Sequence, residues 1–245
     1  MNNSEKKIAV LIDADNAPSK YIVELLQETS QYGVLTIKRI YGDWTKPQLS
    51  SWKETLLAQS ITPIQQFGYT TGKNATDSSM IIDAMDILYS GMVEGFCLVT
   101  SDSDFTRLAS RLREAGMLVI GMGERKTPQP FIAACAKFIY LEILKEGGSL
   151  GIQIPQPTSL YNHPKVSDEI INKLKSVIVN EADESGWAYL GEVGNAIIKI
   201  QPDFDPRNYG FLKLRYLIES ISIFEVELRL PPNNSPAKTA YVKVK

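Results

Sequence analysis

Ile8-Ala9-Val10-Leu11-Ile12-Asp13-Ala14-Asp15-Asn16 decides the fold of this chain. Five uninterrupted apolar residues end in two carboxylates and an amide. A short strand without polar alternation is buried on both faces, which points to a parallel sheet covered by helices. The pattern recurs at Phe96-Cys97-Leu98-Val99, which stops at Thr100-Ser101-Asp102-Ser103-Asp104. Right-handed crossovers place the C-terminal ends of such strands on one edge of the sheet. Open α/β sheets bind their ligands along that edge. A third acidic stretch, Lys73-Asn74-Ala75-Thr76-Asp77, opens a helix-like segment. Carboxylates that converge repel one another unless a cation sits between them. The expectation is a site for a hard cation, Mg²⁺ or Mn²⁺.

Outward from these stretches, residues 1–146 alternate β-rich runs with helix-period segments. Strands are predicted at 7–13, 34–41, 61–66, 95–100, 117–122 and 137–141. Helices are predicted at 18–32, 48–59, 76–90, 104–115 and 128–135. Thr76 is read as the N-cap that puts Asp77 in the first turn, and Ser103 or Asp104 as the cap of the helix after the fourth strand. Residues 147–165, with Gly147-Gly148-Ser149, Pro155, Pro157 and Pro164, read as a linker. A second unit spans 166–245: helices at 167–183, 190–200 and 208–220, then strands at 223–228 and 240–244 around Pro231-Pro232-Asn233-Asn234. Three helices and a hairpin make a winged helix-turn-helix pattern.

Composition narrows the chemistry. The 245 residues carry 26 Lys+Arg against 28 Asp+Glu, a net charge of −2. Residues 1–146 hold 15 basic and 17 acidic side chains, and the remainder holds 11 of each, so any nucleic-acid surface must be a local patch. The single histidine, His163, and two cysteines, Cys97 and Cys135, leave no Ser-His-Asp triad, Cys-His pair or zinc knuckle to assemble. No window approaches the roughly 18 apolar residues of a membrane span. A signal-peptide core is absent, and a soluble cytoplasmic protein is expected.

Each acidic position has a competing role. Asp13, Asp15, Asp102 and Asp104 could be turn formers or caps, and Asn16 could orient Asp13 or hold a water. Asp83 lies about 240° around the helix from Asp77, so it should support the site rather than join it. Trp44, Lys46 and Lys73 fall on loops at the acidic edge, where an aromatic ring can stack a base and an ammonium can meet phosphate. Gly68–Lys73 lacks P-loop spacing, so nucleotide triphosphate binding is not expected.

Leu11-Ile12-Asp13-Ala14-Asp15-Asn16, Lys73-Asn74-Ala75-Thr76-Asp77, Ile81-Ile82-Asp83-Ala84-Met85 and Thr100-Ser101-Asp102-Ser103-Asp104-Phe105 together resemble the NYN domain. This is a PIN-like nuclease group that includes the bacterial LabA proteins. The resemblance covers about residues 6–142. It implies a Rossmann-like PIN sheet and an Mg²⁺- or Mn²⁺-dependent ribonuclease. Asp13, Asp77, Asp102 and Asp104 match the acidic, metal-binding pocket, with Asn16 beside it and Ser101 as a polar neighbour. Gly186–Gly194, Asp203–Gly210 and Leu212-Lys213-Leu214 resemble the LOTUS (OST-HTH) domain, an RNA-binding winged helix that commonly follows NYN domains. In that unit Arg207, Tyr209, Lys213 and Arg215 form a candidate basic-aromatic surface for RNA, while Trp187 is read as core.

The leading expectation is therefore a metal-dependent ribonuclease with an RNA-binding C-terminal module. Two alternatives remain. A regulatory RNA-binding protein would use the same surfaces without turnover. A haloacid-dehalogenase-like phosphatase would use Asp13-Ala14-Asp15 as its Asp-x-Asp start, although Ala17 stands where that group prefers Thr or Val. RNA is the expected partner and a membrane is not. A homodimer, or a protein partner on the winged-helix unit, is compatible with the sequence.

Overall fold

A computed structural model describes residues 5–67, 75–144, 166–230 and 238–245. The chain divides into two compact units, residues 1–149 and 150–245. The expected linker and His163 lie outside the described residues.

The first unit is a six-stranded parallel sheet: β1 (Lys7–Asp13), β2 (Val34–Gly42), β3 (Thr62–Gln65), β4 (Gly95–Val99), β5 (Leu118–Gly123) and β6 (Lys137–Tyr140). The spatial order is β3-β2-β1-β4-β5-β6. The connecting helices are α1 (Ile22–Ser30), α2 (Lys53–Ala58), α3 (Ala75–Ser90), α4 (Thr106–Glu114) and α5 (Gln129–Ala134). In β1 every residue from Ile8 to Asp13 is buried, as are all five residues of β4. That explains the unbroken apolar runs, since a central strand has no solvent face. Each fully buried Leu or Ile contributes about 1.5–3 kcal/mol over leaving it exposed.

The strand order locates the crevice. The chain works outward from β1 in one direction and then returns to start β4 on the other side of β1. The turn of direction between β1 and β4 is a topological switch point, where the loops leaving adjacent strands diverge and open a cleft. β1 and β4 pair in register from Ile8–Gly95 to Ile12–Val99. Asp13 and Thr100 are therefore the next residues on each strand, side by side at the mouth of the cleft.

The second unit contains α6 (Asp168–Glu181), β7 (Ala188–Tyr189), α7 (Leu190–Ile200), α8 (Leu214–Glu219), β8 (Phe224–Arg229) and β9 (Thr239–Val244). Its antiparallel sheet has the order β7-β9-β8. Leu174, Ile178, Val193, Ile197, Leu217, Ile218 and Val242 form a core with no exposed surface. Two details differ from expectation. The helix expected over 208–220 is split, because a 3₁₀ turn over Pro206–Tyr209 ends at Gly210 in a left-handed conformation (φ 83°), and only Leu214–Glu219 is α-helical. The two-residue strand β7 is too short to show a period in sequence. Among the described residues no helix is long and apolar enough to cross a membrane.

Candidate metal centre

Asp13 ends β1 with 1% of its surface exposed. Its Oδ2 accepts hydrogen bonds from Asn16 Nδ2 (2.8 Å) and Thr100 Oγ1 (2.9 Å), and its Oδ1 accepts from the backbone N–H of Asp15 (3.0 Å). Burial pushes the Asp13 carboxyl above the ordinary range, and these three donors pull against that rise. Asn16 thus orients Asp13. Thr100, which the sequence offered only as one hydroxyl among three, joins the strand ends. It donates to Asp13 and accepts from the Asp102 N–H at 3.1 Å.

Asp102 follows at the start of a 3₁₀ turn, Ser103–Phe105. It caps that turn itself: its Oδ1 accepts from the Asp104 N–H at 2.9 Å. The expected caps, Ser103 or Asp104, lie one and two residues too late. Ser101 is buried, and its Oγ accepts from the Glu124 N–H at 2.9 Å, tying the loop after β4 to the loop after β5. A Cβ at Gly123 would come within 2.5 Å of the Thr100 carbonyl oxygen, so only glycine allows these loops to approach so closely.

Asp77 arrives from α3. The helix starts at Ala75, so Thr76 lies inside it and Asp77 is in its first turn. Asp77 lies three residues before Met80, and Met80, Ala84 and Ile87 are the buried stripe of α3. At 100° per residue, Asp77 continues that stripe past the sheet edge into the cleft. One carboxylate oxygen each from Asp77, Asp102 and Asp104 lies within 4.8 Å of the others. The Asp77 carboxyl is pushed up to about 6, first by burial and then by the charges of Asp13, Asp102, Asp104 and Asp15.

The donor set fits a hard divalent cation: three carboxylates, no thiolate and no imidazole. Around an octahedral Mg²⁺ neighbouring oxygens stand about 3 Å apart and opposite ones about 4 Å, so the trio would draw in by up to about 2 Å on a cation. Asp13 is not in that trio. Its oxygens are already engaged by three donors, which makes it the buried post behind the cluster. Its burial, with 1% of its surface exposed, argues against Asp13 as a phosphatase nucleophile.

The remaining expected residues fall in several environments. Asp83 pairs with Arg39 and accepts from the Tyr41 hydroxyl, both on β2, so it braces α3 against the sheet. Trp44 is half-buried against the core, and its indole N–H donates to the Ile64 carbonyl at 3.0 Å. Its ring is a fixed part of the β2–β3 edge. Lys46 is exposed, with its Nζ 3.9 Å from Asp15. Lys73 lies outside the described residues. In the second unit, Arg207 forms a bidentate pair with buried Asp205 (2.7 and 3.0 Å). Tyr209 packs against the core with its ring 6.1 Å from Phe204, and Arg215 pairs with Glu219 at 2.7 Å. Of that expected quartet, Lys213 is exposed while the other three are engaged in structural contacts. Cys97 and Cys135 are buried, and burial pushes both thiols up to about 12, which leaves them unreactive.

The NYN domain model matches residues 7–142. The chain belongs to the NYN domain family. The OST-HTH/LOTUS domain model matches residues 160–235. This NYN protein therefore joins a nuclease-type sheet to a domain of RNA-binding type, and the pair supports a ribonuclease-type role. No curated protein matches it. Among solved structures, it is similar to a protein of unknown function from Vibrio parahaemolyticus. That likeness has 19% identity, covers 57% of this chain and 95% of that one, and has a TM-score of 0.49. It is also similar to an uncharacterized protein from Nitrosomonas europaea. There the identity is 30%, the coverage 39% of this chain and 92% of that one, and the TM-score 0.32.

Proposed function

We propose that this NYN protein is a divalent-cation-dependent ribonuclease whose acidic cleft hydrolyses RNA phosphodiester bonds. The observation that carries the reading is the meeting of Asp77, Asp102 and Asp104, oxygens within 4.8 Å, at the switch point of a parallel sheet. Asp77, Asp102 and Asp104 would hold Mg²⁺ or Mn²⁺. When bound, such a cation neutralises the cluster, polarises a phosphate and lowers the pKa of a water. Asp13, fixed by Asn16 and Thr100, holds the two strand ends in register so that Asp102 faces Asp77. Asp83 keeps α3 in place through Arg39 and Tyr41. Lys46, beside Asp15 at the rim, and Lys213 in the OST-HTH unit are the exposed ammonium groups best placed for phosphate. Lys73 precedes α3 in sequence and is proposed as a third. The OST-HTH unit supplies RNA affinity. With no histidine among the described residues, cation chemistry is the route these residues support.

The test is cleavage of end-labelled RNA by the full chain in Mn²⁺, in Mg²⁺ and in EDTA. Metal-dependent cleavage that disappears in Asp102→Asn is expected. RNA binding without cleavage under any metal would defeat the catalytic reading and favour a regulator.

A further inference from the structure

The sheet of the second unit has two unlike faces. Its inward face carries Ala188, Phe224, Val226, Ala240, Val242 and Val244, packed into or against the core. In β7, β8 and β9 the alternate positions point outward. There Tyr189 sits opposite Tyr241, and Glu227 opposite Tyr241 on the other side. The Tyr189 and Tyr241 ring centroids are 5.9 Å apart, and Tyr189 is 43% exposed. The Arg229 guanidinium lies over the Trp187 ring at 4.6 Å and over the Tyr241 ring at 4.8 Å. Its edge is held by Glu227, through Nε at 3.0 Å and Nη2 at 2.8 Å. Tyr189 is held too: a Cβ on Gly191 would come within 2.7 Å of its ring, so the ring lies flush against bare backbone.

We infer that this outer face, built from Trp187, Tyr189, Arg229 and Tyr241, is a stacking platform for the unpaired bases of single-stranded RNA. The inference rests on the RNA reading above and goes beyond it by moving the contact from the Arg207–Arg215 segment to the sheet. Three features favour this occupant. Planar groups dominate the outward face, and planar groups stack bases of any sequence. Aliphatic side chains of the three strands point inward or, like Leu228, lie at the hairpin end, so rings and a guanidinium are what the outward face offers. Glu227 offsets Arg229 and Glu225 stands opposite Lys243, while Asp183 adds a further negative charge near Arg229. Such a face has little to offer a phosphate and much to offer an uncharged ring. Guanidinium planes and aromatic rings are the groups on which splayed RNA bases rest.

The platform can be tested on the full chain in EDTA, which stops cleavage. The probe is a fluorescein-labelled single-stranded uridine oligonucleotide of about 12 nucleotides, within the span of known single-strand sites. Fluorescence anisotropy is measured across a salt series. Tyr189→Ala and Arg229→Lys are each expected to weaken binding about tenfold, in line with the loss of one stacking contact. The slope of affinity against salt should stay unchanged, because that slope counts phosphate contacts. Gly191→Ala should weaken binding similarly by displacing the Tyr189 ring, while thermal melting shows no loss of fold, since alanine is the better helix former. Lys213→Ala gives the opposite signature, a shallower salt slope. Wild-type binding with all three platform variants within twofold of it overturns the platform and leaves the RNA reading standing. No binding of RNA by the wild type removes both. Sedimentation showing self-association that Tyr189→Ala abolishes, with RNA binding intact, assigns the face to a second copy of the chain and overturns the proposal.

Discussion

Replacing Asp77 with asparagine should stabilise the metal-free protein. In the fold its carboxyl is pushed up from 3.8 to about 6, chiefly by burial and then by four neighbouring carboxylates. Two units at 1.36 kcal/mol each amount to roughly 3 kcal/mol of strain in the ionised form, as an upper bound. Asp77 is only partly buried, so solvent screening cuts this to about 1–1.5 kcal/mol. An anion in the first helical turn recovers a few tenths of that. The folded pKa lies above the unfolded one, so the folded chain holds the proton more tightly. Stability then falls as pH rises from about 4 to about 6, and the whole penalty is present at pH 7.5. Asp77→Asn should therefore raise the melting temperature in EDTA at pH 7.5 by about 3 °C. At pH 4.5 the gain should shrink to about a third, because wild-type Asp77 is then protonated in the fold. Added Mn²⁺ should stabilise the wild type and leave the variant nearly unchanged. Urea or thermal melts at both pH values, with and without Mn²⁺, decide the matter. A variant that is no more stable than wild type at pH 7.5, or whose advantage is the same at pH 4.5, would refute a crowded, cation-requiring cluster.

Other substitutions separate the posts from the ligands. Asp13→Asn sets an amide N–H₂ against the Asn16 and Thr100 donors, and should cost about 1–3 kcal/mol in urea unfolding as well as cleavage. Thr100→Val removes the link between the strand ends, and should cost about 1–2 kcal/mol and weaken Mn²⁺ binding measured by calorimetry. Asp83→Asn should lower stability by about 1 kcal/mol yet leave Mn²⁺ affinity within about twofold, because Asp83 touches Arg39 and Tyr41 and not the cluster. An equal loss of Mn²⁺ binding in Asp83→Asn would place it in the site after all.

Much of the first unit was legible because its signals are local. Unbroken apolar runs marked β1 and β4, and their acidic ends marked the edge. The parallel sheet follows from those runs, and the strand order then brings Asp13 and Thr100 side by side. Helix phase set Asp83 apart from Asp77, and in the fold Asp83 contacts Arg39 and Tyr41. What stayed hidden depends on partners distant in sequence. Nothing near Asp13 announces that Thr100 will bond one of its oxygens. Burial can hide a role even between near neighbours: Arg207 and Tyr209 form a basic-aromatic pair in sequence, yet buried Asp205 and the ring of Phe204, two and five residues away, engage them. Arg229, Trp187 and Tyr241 are far apart along the chain and meet only through the pairing of β7, β8 and β9. A two-residue strand such as β7 carries no period to read.

The hydrogen bond from Thr100 to Asp13 spans 87 residues. A ribosome making this chain releases Asp13 early, but Asp77, Asp102 and Asp104 come much later, and β4 must dock beside β1 before any of them converge. A partly translated or truncated polypeptide therefore owns some of the acids without owning the cleft. Under the proposed function, a chain cut short before β4 carries no cleft, whatever acids it holds.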